Sequence, residues 1–324
     1  MSSPMPANFL HRHKDFKALL AIVSEERGIL PGLVEKDYWI KHVLYSMTKL
    51  ELEFELKGGT SLSKAFKIIN RFSEDIDIHI KPPASFGINE NPNNKNAKNV
   101  ASRKEFFDWL ATEKLKIDGI TAERDTNYDD AKLYRNAGIR LNYESVTDKV
   151  DGLKEGILLE VGFDDIRPNE AITISSWAYD KASTTPGVDI IDNRAINIKC
   201  YHPGYTFVEK LQAIATKYRK ERDNPDEKVK ANFMRQYYDV SCLLDEPRIL
   251  EFIKTQEYAD HKKNHFPKED LAIPIAENEA FLLSDSAIRE DYKSRYQVTK
   301  SLYYKGQPTF DELIANIKKH ISKL

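Results

Sequence analysis

The run Asp75-Ile76-Asp77-Ile78-His79-Ile80 alternates polar side chains with isoleucine, and a period of two predicts a β-strand whose two faces meet different surroundings. Ile76 and Ile78 then face a core, while Asp75 and Asp77 place two carboxylates on the other side. Hard oxygen ligands at that spacing suit a divalent cation, Mg²⁺ or Mn²⁺, and phosphoryl chemistry is its natural use. Upstream, Phe54-Glu55-Leu56 reads as a short strand running into Lys57-Gly58-Gly59-Thr60. Paired glycines there permit backbone angles that other residues avoid. A helix over residues 61–70 is predicted next, with Leu62, Ala65, Phe66 and Ile69 on one packing face and Lys64 and Lys67 away from it. Strand, glycine turn, helix, strand is therefore the organising unit. Its turn offers N–H groups that can hold a triphosphate, and its second strand offers the metal carboxylates.

The remainder places this unit in an α+β chain. Residues 8–50 read as two helices joined at Pro31-Gly32, and residues 81–99, rich in Asn, Pro and Lys, as a polar loop. A helix over 103–115 and strands over 138–143 and 156–163 follow. Within the last strand Glu160 interrupts Leu158-Leu159-Glu160-Val161. A charge there is paired, bound to metal or turned to a cleft, so Glu160 is either a third metal carboxylate or a paired strand glutamate. Beyond Cys200 the pattern is helical: Phe207, Leu211, Ile214 and Tyr218 form one stripe, Phe233, Tyr237, Val240 and Leu244 another, and residues 309–324 a last one. The expected division is 1–198, a catalytic domain with N-terminal helices, and 199–324, a mainly helical domain.

Composition narrows the function classes. At 324 residues with 41% hydrophobic side chains the chain can bury a core and is not disordered throughout, yet no apolar run is long enough to cross a bilayer, so no membrane role is expected. Residues 1–12 lack the apolar stretch of a secretory signal. The two cysteines, Cys200 and Cys242, form no CxxC pair, and with no paired His spacing read alongside them the expectation is neither a disulfide scaffold nor a zinc site, which fits a reducing cytoplasm. The net charge of −2 rules out a generally basic nucleic-acid coat, so a polyanion must meet a local patch. Residues 199–235 are the candidate, with nine Lys or Arg against five Asp or Glu.

Lys57-Gly58-Gly59-Thr60-Ser61-Leu62-Ser63-Lys64, followed by Arg71-Phe72-Ser73-Glu74-Asp75-Ile76-Asp77-Ile78, closely resembles the first motif of the AbiEii/AbiGii nucleotidyltransferase toxin family, a branch of the DNA polymerase β-like superfamily. Phe207-Val208-Glu209-Lys210-Leu211 and Arg235-Gln236-Tyr237-Tyr238-Asp239-Val240 resemble its later lysine and Arg-x-x-Tyr-Asp motifs. The resemblance implies a polymerase β-like core with a mixed sheet, N-terminal helices and a C-terminal helical domain. It assigns Gly58, Gly59, Thr60 and Ser61 to the phosphates of an NTP donor and Asp75 and Asp77 to Mg²⁺. Lys64, Arg71 and Ser73 come near the site, Arg71 either on phosphate or in a structural salt bridge. Lys210 contacts donor phosphates, and Asp239 orients Lys210 or the acceptor. The implied activity is that of the toxin in a toxin–antitoxin pair linked to phage defence. It transfers nucleotides to RNA, the tRNA 3′ end in related members, and is opposed by a cognate antitoxin. Three alternatives stand beside it: nucleotidylation or phosphorylation of a protein, a metal nuclease, and a non-catalytic RNA-binding or regulatory member. The nuclease reading lacks the usual Glu-x-Lys, since Gly162 follows Glu160 by two.

Overall fold

The computed structural model describes residues 7–89, 91, 94–163 and 168–324. The chain divides into two compact units, the first running to Ala65 and from Ser73 to Tyr201, the second comprising Phe66–Phe72 and His202–Leu324.

The first unit begins with α1 (Phe16–Arg27), closed by Gly28 in the left-handed conformation, and α2 (Pro31–Lys49), which starts on a proline whose missing N–H costs a helix nothing. Almost all of α2 is buried, its charged residues included: Glu35, Lys36, Asp37 and Lys41 are each at most 2% exposed. Burial of that kind requires a partner for every charge. Glu35 accepts from the Val146 and Thr147 N–H groups and from both hydroxyls of Ser145 and Thr147. The Lys36 ammonium donates to the Lys154 carbonyl at 2.7 Å. Asp37 accepts the Trp177 N–H at 2.9 Å and pairs with Lys64. Lys41 donates to the Asn193 side chain. Burial lowers the Lys36 ammonium to about 8 and the Lys41 ammonium to about 6.

Against this spine lies a seven-stranded mixed sheet, β1 (Glu53–Lys57), β2 (Ile76–Lys81), β3 (Ile120–Arg124), β4 (Asn136–Tyr143), β5 (Ile157–Gly162), β6 (Asn169–Ile174) and β7 (Ala195–Tyr201), in the order β3-β4-β5-β2-β1-β7-β6. The β1–β7 and β2–β5 pairs are parallel and the others antiparallel. Ile76, Ile78 and Ile80 are fully buried on one face of β2, and Asp77 and His79 are half-buried on the other.

Between β1 and β2 the helix begins on the first glycine, as α3 (Gly58–Thr60) followed by a π-helical turn Ser61–Ala65. It stops short of the predicted residue 70. Lys67 adopts a left-handed φ of 58°, and the chain then pairs with the second unit: the Phe72 N–H donates to the Leu302 carbonyl at 2.7 Å and the Tyr304 N–H to Asn70 at 3.3 Å. That pairing competes with helix for the same backbone groups. In the polar loop over 81–99, Glu90, Pro92 and Asn93 lie outside the described residues, and α4 (Ala97–Trp109) already starts at Ala97, capped by Asn96. α5 (Trp177–Ser183) precedes β7.

The second unit is helical: α6 (Pro203–Asp223), α7 (Arg235–Leu244), α8 (Pro247–Phe252), α9 (Gln256–His265), α10 (Lys268–Leu271), α11 (Glu279–Leu282), α12 (Ser286–Gln297) and α13 (Phe310–His320). Phe207, Leu211, Ile214, Tyr237, Val240, Leu244 and Phe310 are fully or almost fully buried, so the apolar stripes of α6, α7 and α13 make this core. Thr309 and Glu312 close a capping box on α13. No helix among the described residues is long and apolar enough to cross a membrane.

Glu35, itself buried, fixes residues 145–147 by charge-assisted bonds. Glu35→Ala, which leaves those N–H groups unpaired, is expected to cost about 2–3 kcal/mol of stability. A denaturation midpoint shifted at unchanged slope reports the loss; an unshifted midpoint contradicts it.

Candidate active site

Strand register brings the carboxylates together. Asp77 of β2 pairs with Lys57 of β1 on one side and with Glu160 of β5 on the other. Paired residues on adjacent strands share a face, so Asp75, Asp77 and Glu160 form one acidic group on the half-buried side of the sheet. Beyond Glu160 the partner on β4 is Gly138, where an added Cβ would come within 2.5 Å of the Asp125 carbonyl.

Burial pushes the Glu160 carboxyl up to about 7, and the charges of Asp77 and Asp75 push it the same way. Lys154 and Lys57 oppose the shift without cancelling it. Lys154 reaches Asp75 Oδ2 at 2.9 Å, and its backbone is held by Lys36 from α2 and by Glu74, which accepts the Lys154 N–H at 2.8 Å. Asp75 Oδ1 is buried with no hydrogen-bond partner. Three carboxylates, an unsatisfied oxygen and incomplete neutralisation fit a hard divalent cation.

The turn is built around Asp77. Gly58 has a φ of +72°, and a Cβ placed on it would lie 2.2 Å from Asp77 Oδ2, so both conformation and space demand glycine. The Thr60 hydroxyl donates to the Asp75 carbonyl, tying the turn to β2. The neighbouring Ser61 hydroxyl is fully buried and has no partner, a donor held ready without a protein acceptor. Gly59 is buried in the helix start, and Ser73 is half-buried ahead of Asp75.

The other anticipated residues are engaged in ion pairs. Lys64 is held by Asp37. In the second unit Asp239 is fully buried and receives Arg71 through two bonds of 2.6 Å, while Lys210 lies 2.7 Å from its Oδ2 and donates to Gln236 at 2.8 Å. Burial alone would raise the Asp239 carboxyl, but Arg71 and Lys210 outweigh it and hold the group at about 2. Arg71 thus takes the salt bridge that the sequence left open.

A family model for the nucleotidyl transferase AbiEii toxin of a type IV toxin–antitoxin system matches residues 42–316. The chain belongs to the AbiEii nucleotidyltransferase toxin family. It is therefore a nucleotidyltransferase, with an NTP as substrate and a cognate antitoxin as partner. A comparison with curated proteins finds no match. The AbiEii match spans the glycine turn, all three carboxylates and the Lys210–Asp239 pair.

The basic run over 199–235 proves less available to a polyanion than its composition suggests. Lys210 faces Asp239, Arg219 faces Asp270 and Lys228 faces Asp291, all three acids lying outside the run, so part of the excess is neutralised by the rest of the protein.

Gly58→Ala in this AbiEii enzyme displaces the Asp77 carboxylate and is expected to lower nucleotide transfer more than about a hundredfold. Transfer at the wild-type rate contradicts the packing argument. Asp239→Asn leaves Arg71 and Lys210 facing a neutral side chain and is expected to cost about 3–5 kcal/mol by denaturation at neutral pH. Because the folded value of Asp239 lies below the usual carboxylate range, its contribution is complete above about pH 4 and is lost as pH falls towards 2. The wild-type and Asp239→Asn stabilities should therefore converge in acid.

Proposed function

We propose that this AbiEii nucleotidyltransferase transfers a nucleotide from an NTP to an RNA hydroxyl, the tRNA 3′ end being the acceptor, and that Asp75, Asp77 and Glu160 hold the Mg²⁺ (or Mn²⁺) it requires. The observation that carries the reading is the acidic face of β2 and β5 meeting a glycine turn with no room for a side chain.

The RNA hydroxyl attacks the α-phosphorus of the NTP and gives up its proton to solvent water, a new P–O bond forms, the bond to the β-phosphate oxygen breaks, and pyrophosphate departs. Bound Mg²⁺ supplies charge neutralisation and a more acidic attacking hydroxyl. Asp75 and Asp77, fixed by the Ile76, Ile78 and Ile80 packing behind them, hold the oxygen donors in place. The N–H groups of Gly58 and Gly59 and the Ser61 hydroxyl serve the donor phosphates, with Thr60 anchoring their turn to β2. Lys154 limits the repulsion on Asp75. In the helical unit, the Asp239 carboxylate fixes Lys210 for phosphate recognition.

Purified protein incubated with Mg²⁺, total tRNA and each labelled NTP in turn tests donor and acceptor together. Label on tRNA that is lost with chelator, and reduced at least about a hundredfold in Asp75→Asn and Asp77→Asn, is the expected result. Label on protein in place of tRNA overturns the acceptor. RNA shortening without NTP overturns the reaction class.

A further inference from the structure

His261 and His265 lie four residues apart on α9, so a helix places both imidazoles on one face, and their ring centroids are 3.7 Å apart. Glu209 of α6 approaches the same point, with Oε1 3.9 Å from His261 Nε2. One ligand atom from each of the three residues lies within 4.8 Å of the other two. In a tetrahedral zinc site donor atoms stand about 3.3 Å apart, so modest side-chain rotation closes the gap.

The ring orientations favour ligation. His265 Nδ1 lies 3.1 Å from the carbonyl of His261, one turn back, which commits that nitrogen as a donor and leaves Nε2 with its lone pair outward. His261 is likewise hydrogen-bonded to the Tyr205 backbone, and the Tyr205 ring packs edge-on against it at 4.6 Å.

We propose that Glu209, His261 and His265 form a binding site for a borderline transition metal, Zn²⁺ foremost, which fastens α9 to α6 and leaves one coordination position for water. The two imidazoles and one carboxylate distinguish it from the all-oxygen set of Asp75, Asp77 and Glu160, since imidazole selects Zn²⁺ over Mg²⁺. His-Lys-Lys-Asn-His at 261–265 is a paired histidine spacing, contrary to the expectation from sequence that the chain has none.

The test uses the full chain, stripped with chelator and titrated with Zn²⁺ in excess Mg²⁺, which keeps the carboxylate set occupied. Calorimetry is expected to show one Zn²⁺ per chain, with a rise in thermal midpoint. Co²⁺ in place of Zn²⁺ should give the intense visible bands of a four-coordinate site. His265→Ala, a change at an exposed side chain, and Glu209→Gln should each weaken Zn²⁺ binding by more than about tenfold while the circular dichroism of the metal-free protein stays unchanged. Absence of Zn²⁺ binding, or binding of equal strength in both variants, overturns the proposal.

Discussion

Mutual repulsion among Asp75, Asp77 and Glu160 is the constraint around which the first unit is arranged. Left to themselves, like charges on adjacent strands would move apart or take up protons, and the Glu160 carboxyl, raised first by burial and then by Asp77 and Asp75, registers part of that pressure. What holds them is the opposite face of the sheet. Ile76, Ile78, Leu159 and Val161 are fully buried, and a slip of one residue in either strand would exchange them with the acids. Hydrophobic burial therefore sustains a polar arrangement that is unfavourable in itself. Such a local cost is what a cation site needs, because binding then relieves a repulsion already present.

α2 extends the same logic. A helix buried on all sides is usually apolar, yet this one carries Glu35, Lys36, Asp37 and Lys41, each directed at a different segment of the first unit. Glu35 and Lys36 clamp the two ends of the connection between β4 and β5. Lys154, at the second end, is the residue that reaches Asp75. The path from helix to carboxylate thus runs through short hydrogen bonds that begin at a buried ammonium and end at a half-buried ion pair.

Local sequence revealed the parts of this site that depend on local periodicity. Period-two alternation places Asp75 and Asp77 on one face, and the glycine pair marks the turn. The position of Glu160 opposite Asp77 is a matter of register between strands about eighty residues apart in sequence, which no local pattern encodes. β3 and β6, the two edge strands, went unread for a related reason. Ile120-Thr121-Ala122-Glu123-Arg124 and Asn169-Glu170-Ala171-Ile172 lie towards the sheet edges, where partial exposure weakens the apolar signal. The helix expected to reach residue 70 ended at Ala65 because residues 66–72 are claimed by pairing with Leu302–Tyr304, a contact more than 200 residues away along the chain. Sequence also over-read the basic run of 199–235, since charge counts do not show which partners lie across a helix interface.

The Arg71–Asp239–Lys210 cluster shows why a motif residue can matter without touching substrate. Asp239 is fully buried, and a carboxylate in that position is tolerable only with two cations on it. Arg71 arrives from the segment that connects the glycine-turn helix to the metal strand, and Tyr238, next to Asp239, accepts the Asn70 N–H at 3.1 Å. α7 therefore grips, through neighbouring side chains, the stretch of chain that connects the glycine turn to β2. A Lys at position 71 would keep the charge but lose the two-pronged contact with both Asp239 oxygens. Charge alone does not specify that geometry; the planar guanidinium does.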